Sequence, residues 1–265
     1  MIDNRDCILF LVEGSTDKKY IHTLWERFDR LKNTYAIQFI HLPDLTAKYG
    51  NKPNTIKGSI IDIIDRKIRK GAGYDWKGGV RRIKRIVHLL DTDGAYIPQE
   101  AVREDPSQLN FHYDEEYISY YQVTDVINRN GRKKKNLAVL IDPEPPKGKT
   151  PFQLNGVPYH VYYMSCNIEH MFWGKEFMSL KSKLPHDAGQ AKGGKSDEFI
   201  ARANIETDAQ EFLNNTIFNP EYAYQADPAL SDLENYIKSW DFIKEGTNSL
   251  KRHTNLNLFF RDYIN

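Results

Sequence analysis

The sequence predicts an α/β fold with a mostly parallel central sheet flanked by helices, a helical insertion and a helical C-terminal extension. Three observations carry this. Short apolar runs stop abruptly at glycine or polar residues, as buried strands do. Amphipathic stretches of helical period stand between them. The two alternate from residue 7 to residue 91, the order of strand–helix–strand units in a parallel sheet. A chain of 265 residues holds one large domain or two small ones. The expected division is a core over 1–175, with an insertion at 95–135, and a helical extension over 176–265.

Residues 7–12, CILFLV, stop at Glu13-Gly14 and read as a buried strand. Ser15 or Thr16 is placed to cap a helix whose apolar positions are Tyr20, Ile21, Leu24, Trp25 and Phe28. Residues 36–42 form a second strand. A stripe of Ile56, Ile60, Ile61, Ile63, Ile64 and Ile68 makes 55–70 a helix. Residues 83–90, IKRIVHLL, are a third strand ending at Asp91. Residues 137–141, LAVLI, read as a fourth ending at Asp142, and 159–164, YHVYYM, as a fifth ending at Ser165. Between the third and fourth, a structureless loop would be too long, so a helix is expected within 114–128. Tyr117, Tyr120 and Tyr121 would form its packing stripe. The Pro- and Gly-rich stretch 143–158 is a loop or hairpin arm. Helices are expected at 167–181, 196–217 and 229–244, with a Lys/Gly loop at 189–195.

A hydrophobic share of 40% rules out global disorder. Lys plus Arg is 37 against 36 for Asp plus Glu, so a globally basic nucleic-acid coat is absent and any anion site is a local patch. Two cysteines, Cys7 and Cys166, make no disulfide framework, which points to a reducing cytoplasm. No apolar run has the length of a membrane span. The first residues lack the basic start and small-residue cleavage site of a signal peptide. A cytoplasmic protein without membrane contact is expected.

The carboxylates fall at the ends of strands. The first strand runs into Glu13, the third into Asp91-Thr92-Asp93. Ligands of parallel sheets bind outside the carboxyl ends of the strands. Residues i and i+2 of an extended chain share a side, so Asp91 and Asp93 face one way. Three converging carboxylates repel one another, and a hard divalent cation, Mg²⁺ or Mn²⁺, relieves that repulsion. The competing reading is of ordinary turn acids, Asp93-Gly94 being a good turn dipeptide.

LFLVEGSTDKKYI followed by IVHLLDTDG resembles the Toprim domain of primases, type IA topoisomerases and the overcoming-lysogenization-defect (OLD) nucleases. That family has a Glu at the end of strand one and a DxD at the end of strand three, here Glu13 and Asp91 with Asp93. The VEGxTD form, with Asp17, is most like the OLD-type and related anti-phage branch. A further stretch, MSCNIEHMFWG, resembles an element of stand-alone Toprim nucleases in bacterial defence loci and adds Glu169. The resemblance covers roughly residues 6–175. It implies a Toprim-like core and a metal-dependent nuclease that hydrolyses nucleic-acid phosphodiester bonds with Mg²⁺ (or Mn²⁺), serving as a bacterial anti-phage effector. Asp91 and Asp93 would be metal ligands, and Glu13 a ligand or the general acid/base. Asp17 would be a second-site ligand or a plain first-turn helix acid. Glu169 would reach the same crevice from the helix after the last strand, or serve only the helix dipole. No ATPase domain accompanies the Toprim pattern, which implies a separate sensor or ATPase partner protein and leaves a homo-oligomer open. The chain has no room for the domain that carries a topoisomerase's tyrosine nucleophile, so strand passage is not expected.

Other signals compete. HLLDTDGAYI is also similar to the first motif of haloacid-dehalogenase (HAD-like) phosphohydrolases, with Asp91 as nucleophile and Asp93 as acid/base. That reading leaves Glu13 to Asp17 unexplained. A catalytically dormant Toprim module that only binds nucleic acid or a partner protein is the non-enzymatic alternative. GQAKGGKS at 189–196 matches a phosphate-loop expression, but no strand leads into it. A basic loop fits better, with Lys195 offsetting charge at the scissile group. The clusters Arg81–Arg85 and Arg132–Lys135 read as solvated charge at the amino ends of strands.

Overall fold

A computed structural model describes residues 4–42, 44–48, 55–78, 81–109, 111–114, 116–145, 147, 150–173, 217–261 and 263. The chain divides into two compact units. The first comprises 1–90, 131–163 and 260–265, the second 91–130 and 164–259.

The first unit is built on β1 (Cys7–Val12), buried along its whole length. A strand covered on both faces needs apolar side chains throughout, and CILFLV supplies them. Parallel strands need crossovers, here the helices α1 (Ser15–Arg27) and α2 (Asp29–Thr34) before β2 (Ala36–His41), and α3 (Leu45–Lys48) and α4 (Thr55–Arg69) before β3 (Ile83–Asp91). β1 pairs in parallel with β2, from Cys7 opposite Ala36 to Val12 opposite His41. It pairs in parallel with β3 on its other side, with a register shift between Cys7 and Ile8. Phe10 meets the Trp25 ring edge-on at 6.0 Å and the Phe39 ring at 5.7 Å, tying α1 and β2 to the central strand. Such aromatic pairs add about 1 kcal/mol each beyond their burial.

The chain continues through β4 (Val102–Glu104), β5 (His112–Tyr113), β6 (Ile118–Tyr120) and α5 (Val123–Leu140) to β7 (Gln153–Leu154) and β8 (Val157–Met164). The main sheet has the order β2-β1-β3-β8-β7. It is a mostly parallel five-stranded sheet in an α/β fold. β8 is the expected fifth strand, begun two residues earlier, and β7, from the stretch expected as a loop or hairpin arm, pairs with its start as a hairpin. Its turn, Asn155-Gly156, has φ of 50° and 77°, the pair of positive angles that Asn-Gly supplies at least cost.

Two expectations fail between β3 and β7. LAVLI is no strand: it closes α5 and the loop after it. Short apolar runs do not by themselves separate a buried strand from a buried helix. The helical period of α5 is carried by Val126, Arg129, Asn130, Lys133, Asn136, Leu137 and Leu140, all buried. Four of those seven are polar, which hides the stripe from a hydrophobicity pattern. The helix expected at 114–128 begins only at Val123, and the tyrosines lie on and beside β6 instead. Tyr117 stacks under the Arg103 guanidinium at 3.9 Å, while Tyr121 is exposed.

The second unit holds a three-stranded sheet of order β4-β6-β5. Its core is Ile97, Val102, Tyr113, Ile118, Val126, Cys166 and Leu250. It also holds α6 (Ile168–Trp173), α7 (Asp232–Lys244) and α8 (Asn257–Arg261), although the last residues of α8 belong to the first unit. Ser231 caps α7 by accepting from Glu234 N–H, and the Glu234 carboxylate accepts from Ser231 N–H in return. The expected helix at 196–217 falls almost entirely outside the described residues, as does the loop at 189–195. No described helix is long and apolar enough to cross a membrane.

Candidate functional site

Glu13 follows β1 by one residue, in the turn that opens α1. Neither Ser15 nor Thr16 caps this helix. Gly14 stands at the cap position, and the Asp17 carboxylate takes over, accepting from Gly14 N–H at 2.8 Å and Glu13 N–H at 3.1 Å. Helix starts leave amides without partners, and a first-turn carboxylate answers both the hydrogen bonding and the dipole. Asp17 is buried, with one of its oxygens engaged by two amides. The His41 ring contacts the Glu13 carbonyl. The Glu13 backbone is thereby fixed on both sides while its side chain remains half-buried.

Asp91 is the last residue of β3. Because β1 and β3 are adjacent and parallel, with Leu11 opposite His88, they run out at the same edge of the sheet. Past Asp91 the chain turns. Thr92 O accepts from Ala95 N–H at 2.8 Å, and Asp93 has φ of 49°, a left-handed conformation that Asp tolerates better than most residues. Gly94 follows with φ of 65°. A Cβ there would meet Leu250 Cδ2 at 2.7 Å and Ile118 Cδ1 at 2.8 Å, so only glycine fits.

Arg129 on α5 braces this turn. Its guanidinium donates to Asp93 O at 2.7 Å, to the Tyr113 hydroxyl at 2.8 Å and to Asn130 Oδ1 at 2.9 Å. The same group lies over the Phe111 ring at 4.2 Å. Burial pushes the Tyr113 hydroxyl well above its ordinary pKa, so it stays protonated and accepts through its lone pairs.

The end of β8 approaches the same turn. Thr92 N–H donates to Met164 O at 2.9 Å and Asp93 N–H to Cys166 O at 3.0 Å. Both chains advance together between these bonds, as strands running in the same direction do. Asn167 follows at once and starts α6, its Oδ1 accepting from His170 N–H at 2.8 Å. Glu169 lies in the first turn of α6, as expected, but its side chain is outside the described residues. Lys195 is outside them altogether.

A second buried polar group lies in the first unit, on the face covered by α5. Lys133, fully buried, pairs with Asp44 at 3.5 Å. Asp44 also accepts from Thr46 Oγ1 at 2.7 Å and Ala47 N–H at 3.0 Å. Burial raises the Asp44 pKa, but the Lys133 charge and these hydrogen bonds outweigh it and hold the carboxyl below its ordinary range. Arg132 Nε and Asn136 Nδ2 donate to the Ala47 and Thr46 carbonyls. The basic tract is therefore no solvated patch before a strand: two of its members anchor α5 to the segment after β2. His88 donates to, or accepts from, the Tyr159 hydroxyl at 2.7 Å, and burial lowers its pKa to about 3.

The carboxylate oxygens of Glu13, Asp91 and Asp93 are the donor type that Mg²⁺ or Mn²⁺ takes. Among the described residues, no three His, Cys, Asp or Glu side chains are gathered closely enough to hold a metal ion. The donor chemistry fits a hard cation; a gathered geometry is not preformed in these side chains. No protein-family model, curated protein or solved structure matches the chain. Sequence reasoning missed Arg129, and it read Gly94 only as half of a turn dipeptide; the turn is there, but the close approach of Leu250 and Ile118 depends on partners far along the chain. Ser165-Cys166-Asn167 reads from the sequence as a turn and cap before a helix, and Asn167 does cap α6; that its other amide end lacks a partner among the described residues is not legible there.

Proposed function

We propose that the protein is a Toprim-type nuclease that hydrolyses nucleic-acid phosphodiester bonds with Mg²⁺ or Mn²⁺, acting as an anti-phage effector under the control of a separate sensor or ATPase partner. One observation carries the reading. Two carboxylate-bearing segments, Glu13 after β1 and Asp91-Thr92-Asp93 at the end of β3, close neighbouring parallel strands at the edge where such sheets bind ligands. Asp91, Asp93 and Glu13 would hold the cation. The chemistry it supplies there is polarisation of phosphoryl oxygens and a lowered pKa for bound water. Glu13, if not itself a ligand, serves as the base that accepts the water's proton at its carboxylate. Asp17 holds the Glu13–Gly14 backbone still. Arg129 holds the Asp93 carbonyl, fixing the direction of the DxD turn.

The experiment is cleavage of a panel of DNA, messenger RNA and transfer RNA by wild type and Glu13→Ala, with Mg²⁺ or Mn²⁺ and with chelator. Wild type should cut, chelator should stop it, and Glu13→Ala should lose roughly 100-fold or more. Cleavage undiminished by Glu13→Ala would end the Toprim reading. Binding without turnover would favour the dormant module, and phosphate release from small esters the HAD-like reading. Calorimetry with Mn²⁺ should show weaker binding for Asp91→Asn and Asp93→Asn, since each loses an anionic oxygen.

A further inference from the structure

Asn167 carries an unanswered donor beside the Asp93 turn. The residue is 3% exposed. Its Oδ1 is committed to His170 N–H, which settles which end of the amide is oxygen. Its Nδ2 has no hydrogen-bond partner among the described residues. The carbonyl of the residue before it, Cys166, accepts from Asp93 N–H at 3.0 Å, which puts Asn167 next in the chain to a residue bonded to the DxD turn. Thr92, between the two aspartates and 0% exposed, likewise has a hydroxyl without a partner among the described residues. Buried polar groups are nearly always satisfied, and an orphan calls for a partner that arrives with a ligand or water.

The chemistry of that partner is constrained. An amide NH₂ donates and does not accept, so Nδ2 is no cation ligand and needs an acceptor oxygen. A buried donor has no bulk water to displace, and a donor already fixed in place is worth most where negative charge gathers. Asn167 is held from its other end by the cap bond and needs no reorganisation to donate.

We propose that Asn167 is an oxyanion-binding residue, its Nδ2 donating to a non-bridging oxygen of a phosphodiester seated at the Asp91–Asp93 turn. This rests on the nuclease reading for the identity of the ligand, but its test does not require turnover. Two substitutions separate donor from cap. Asn167→Asp keeps the shape and the capping oxygen and places a second oxygen where Nδ2 was. Asn167→Ser keeps a capping oxygen and deletes the amide. Both are good cap residues, so a purely structural role predicts little change in either.

The measurement is fluorescence anisotropy of a labelled single-stranded oligonucleotide, one DNA and one RNA, with thermal melts of each variant and calorimetry with Mn²⁺ alone. Both variants should melt near wild type. Oligonucleotide affinity should fall roughly 10-fold for Asn167→Ser and further for Asn167→Asp, where an oxygen now faces an oxygen. Equal affinity in wild type and both variants would overturn the proposal, as would a wild type that binds neither probe. A loss confined to Mn²⁺ affinity would also overturn it, assigning Nδ2 to a protein carboxylate. The nuclease reading stands or falls separately, on Glu13-dependent cleavage by wild type.

Discussion

The turn after β1 is held by its own helix and by one ring of the next strand, His41, and the turn after β3 by several elements far along the chain. At Glu13-Gly14 the supporting carboxylate, Asp17, lies on the first turn of the next helix, and Gly14 has an ordinary extended φ of −133°. At Asp91–Gly94 the support comes from Arg129 on α5, from the Cys166 carbonyl after β8, and from Ile118 and Leu250, which close on Gly94. The first turn would tolerate change and re-form locally. The second is correct only when several distant elements of its unit are in place.

The largest expected effect is at glycine. Gly94→Ala combines a left-handed φ with a Cβ inside contact distance of two buried side chains, and should cost about 3 kcal/mol or more. Gly14→Ala meets nothing closer than Asp17 Oδ2 at 3.6 Å and should cost under about 1 kcal/mol. Urea titrations of the two variants measure the contrast directly; equal losses would break the comparison. Arg129→Met comes next. It leaves the Asp93 carbonyl, the Tyr113 hydroxyl and Asn130 Oδ1 short of a buried donor, at about 2–3 kcal/mol. Asp17→Ala strips acceptors from two amides at a partly exposed turn and should cost about 1 kcal/mol, seen as a smaller shift in the same titration. Thr92→Val removes a buried hydroxyl without a partner among the described residues, so its melting temperature should hold or rise.

The smallest effect concerns acid, which should not distinguish the two units. His88 in the first and His253 in the second are both buried neutral, with pKa lowered by burial to about 3 and about 4. Unfolded histidines bind a proton near pH 6.5. Between that value and about 4 the unfolded chain therefore holds more protons than either unit, and stability falls as pH drops. Thermal melts between pH 7 and pH 4.5, followed at Trp25 and Trp240 in single-tryptophan variants, should decline together. A decline at one reporter alone would give the units separate acid responses.

Legibility in the sequence follows the same division. β1 to β3, with α1 and α4, were readable because each is a local pattern: an unbroken apolar run, or a stripe at helical spacing. Glu13 and Asp91 were found at strand ends for that reason. Asp17 reads from the sequence equally as a second-site ligand and as a first-turn helix acid; its grip on two amides is a property of the folded turn. α5 is half hidden in the sequence because its buried face carries Arg129, Asn130, Lys133 and Asn136, whose polar groups find partners such as Asp93, Tyr113, Asp44 and Thr46 rather than apolar neighbours. The tyrosines around β6 have a spacing that suits a helix, and three-residue strands leave too short a pattern to contradict it. Asn167 was visible as a letter but not as a donor lacking an acceptor, which is a property of three-dimensional neighbours.

The burial of Lys133 bears on how this protein would be engineered. Arg132-Lys133-Lys134-Lys135 looks like a uniform cationic tag that could be neutralised as a block to ask whether the protein grips nucleic acid. On α5 successive residues point about 100° apart. Lys133 goes inward to Asp44, whereas Lys134 and Lys135 lie partly or fully at the surface. A block substitution would also remove the Lys133–Asp44 pair that anchors α5, and a change in behaviour caused by that loss would be misread as the loss of an electrostatic surface. Replacing Lys134 and Lys135 while keeping Lys133 leaves that anchor whole, and selective amine labelling should mark the same pair while sparing their neighbour.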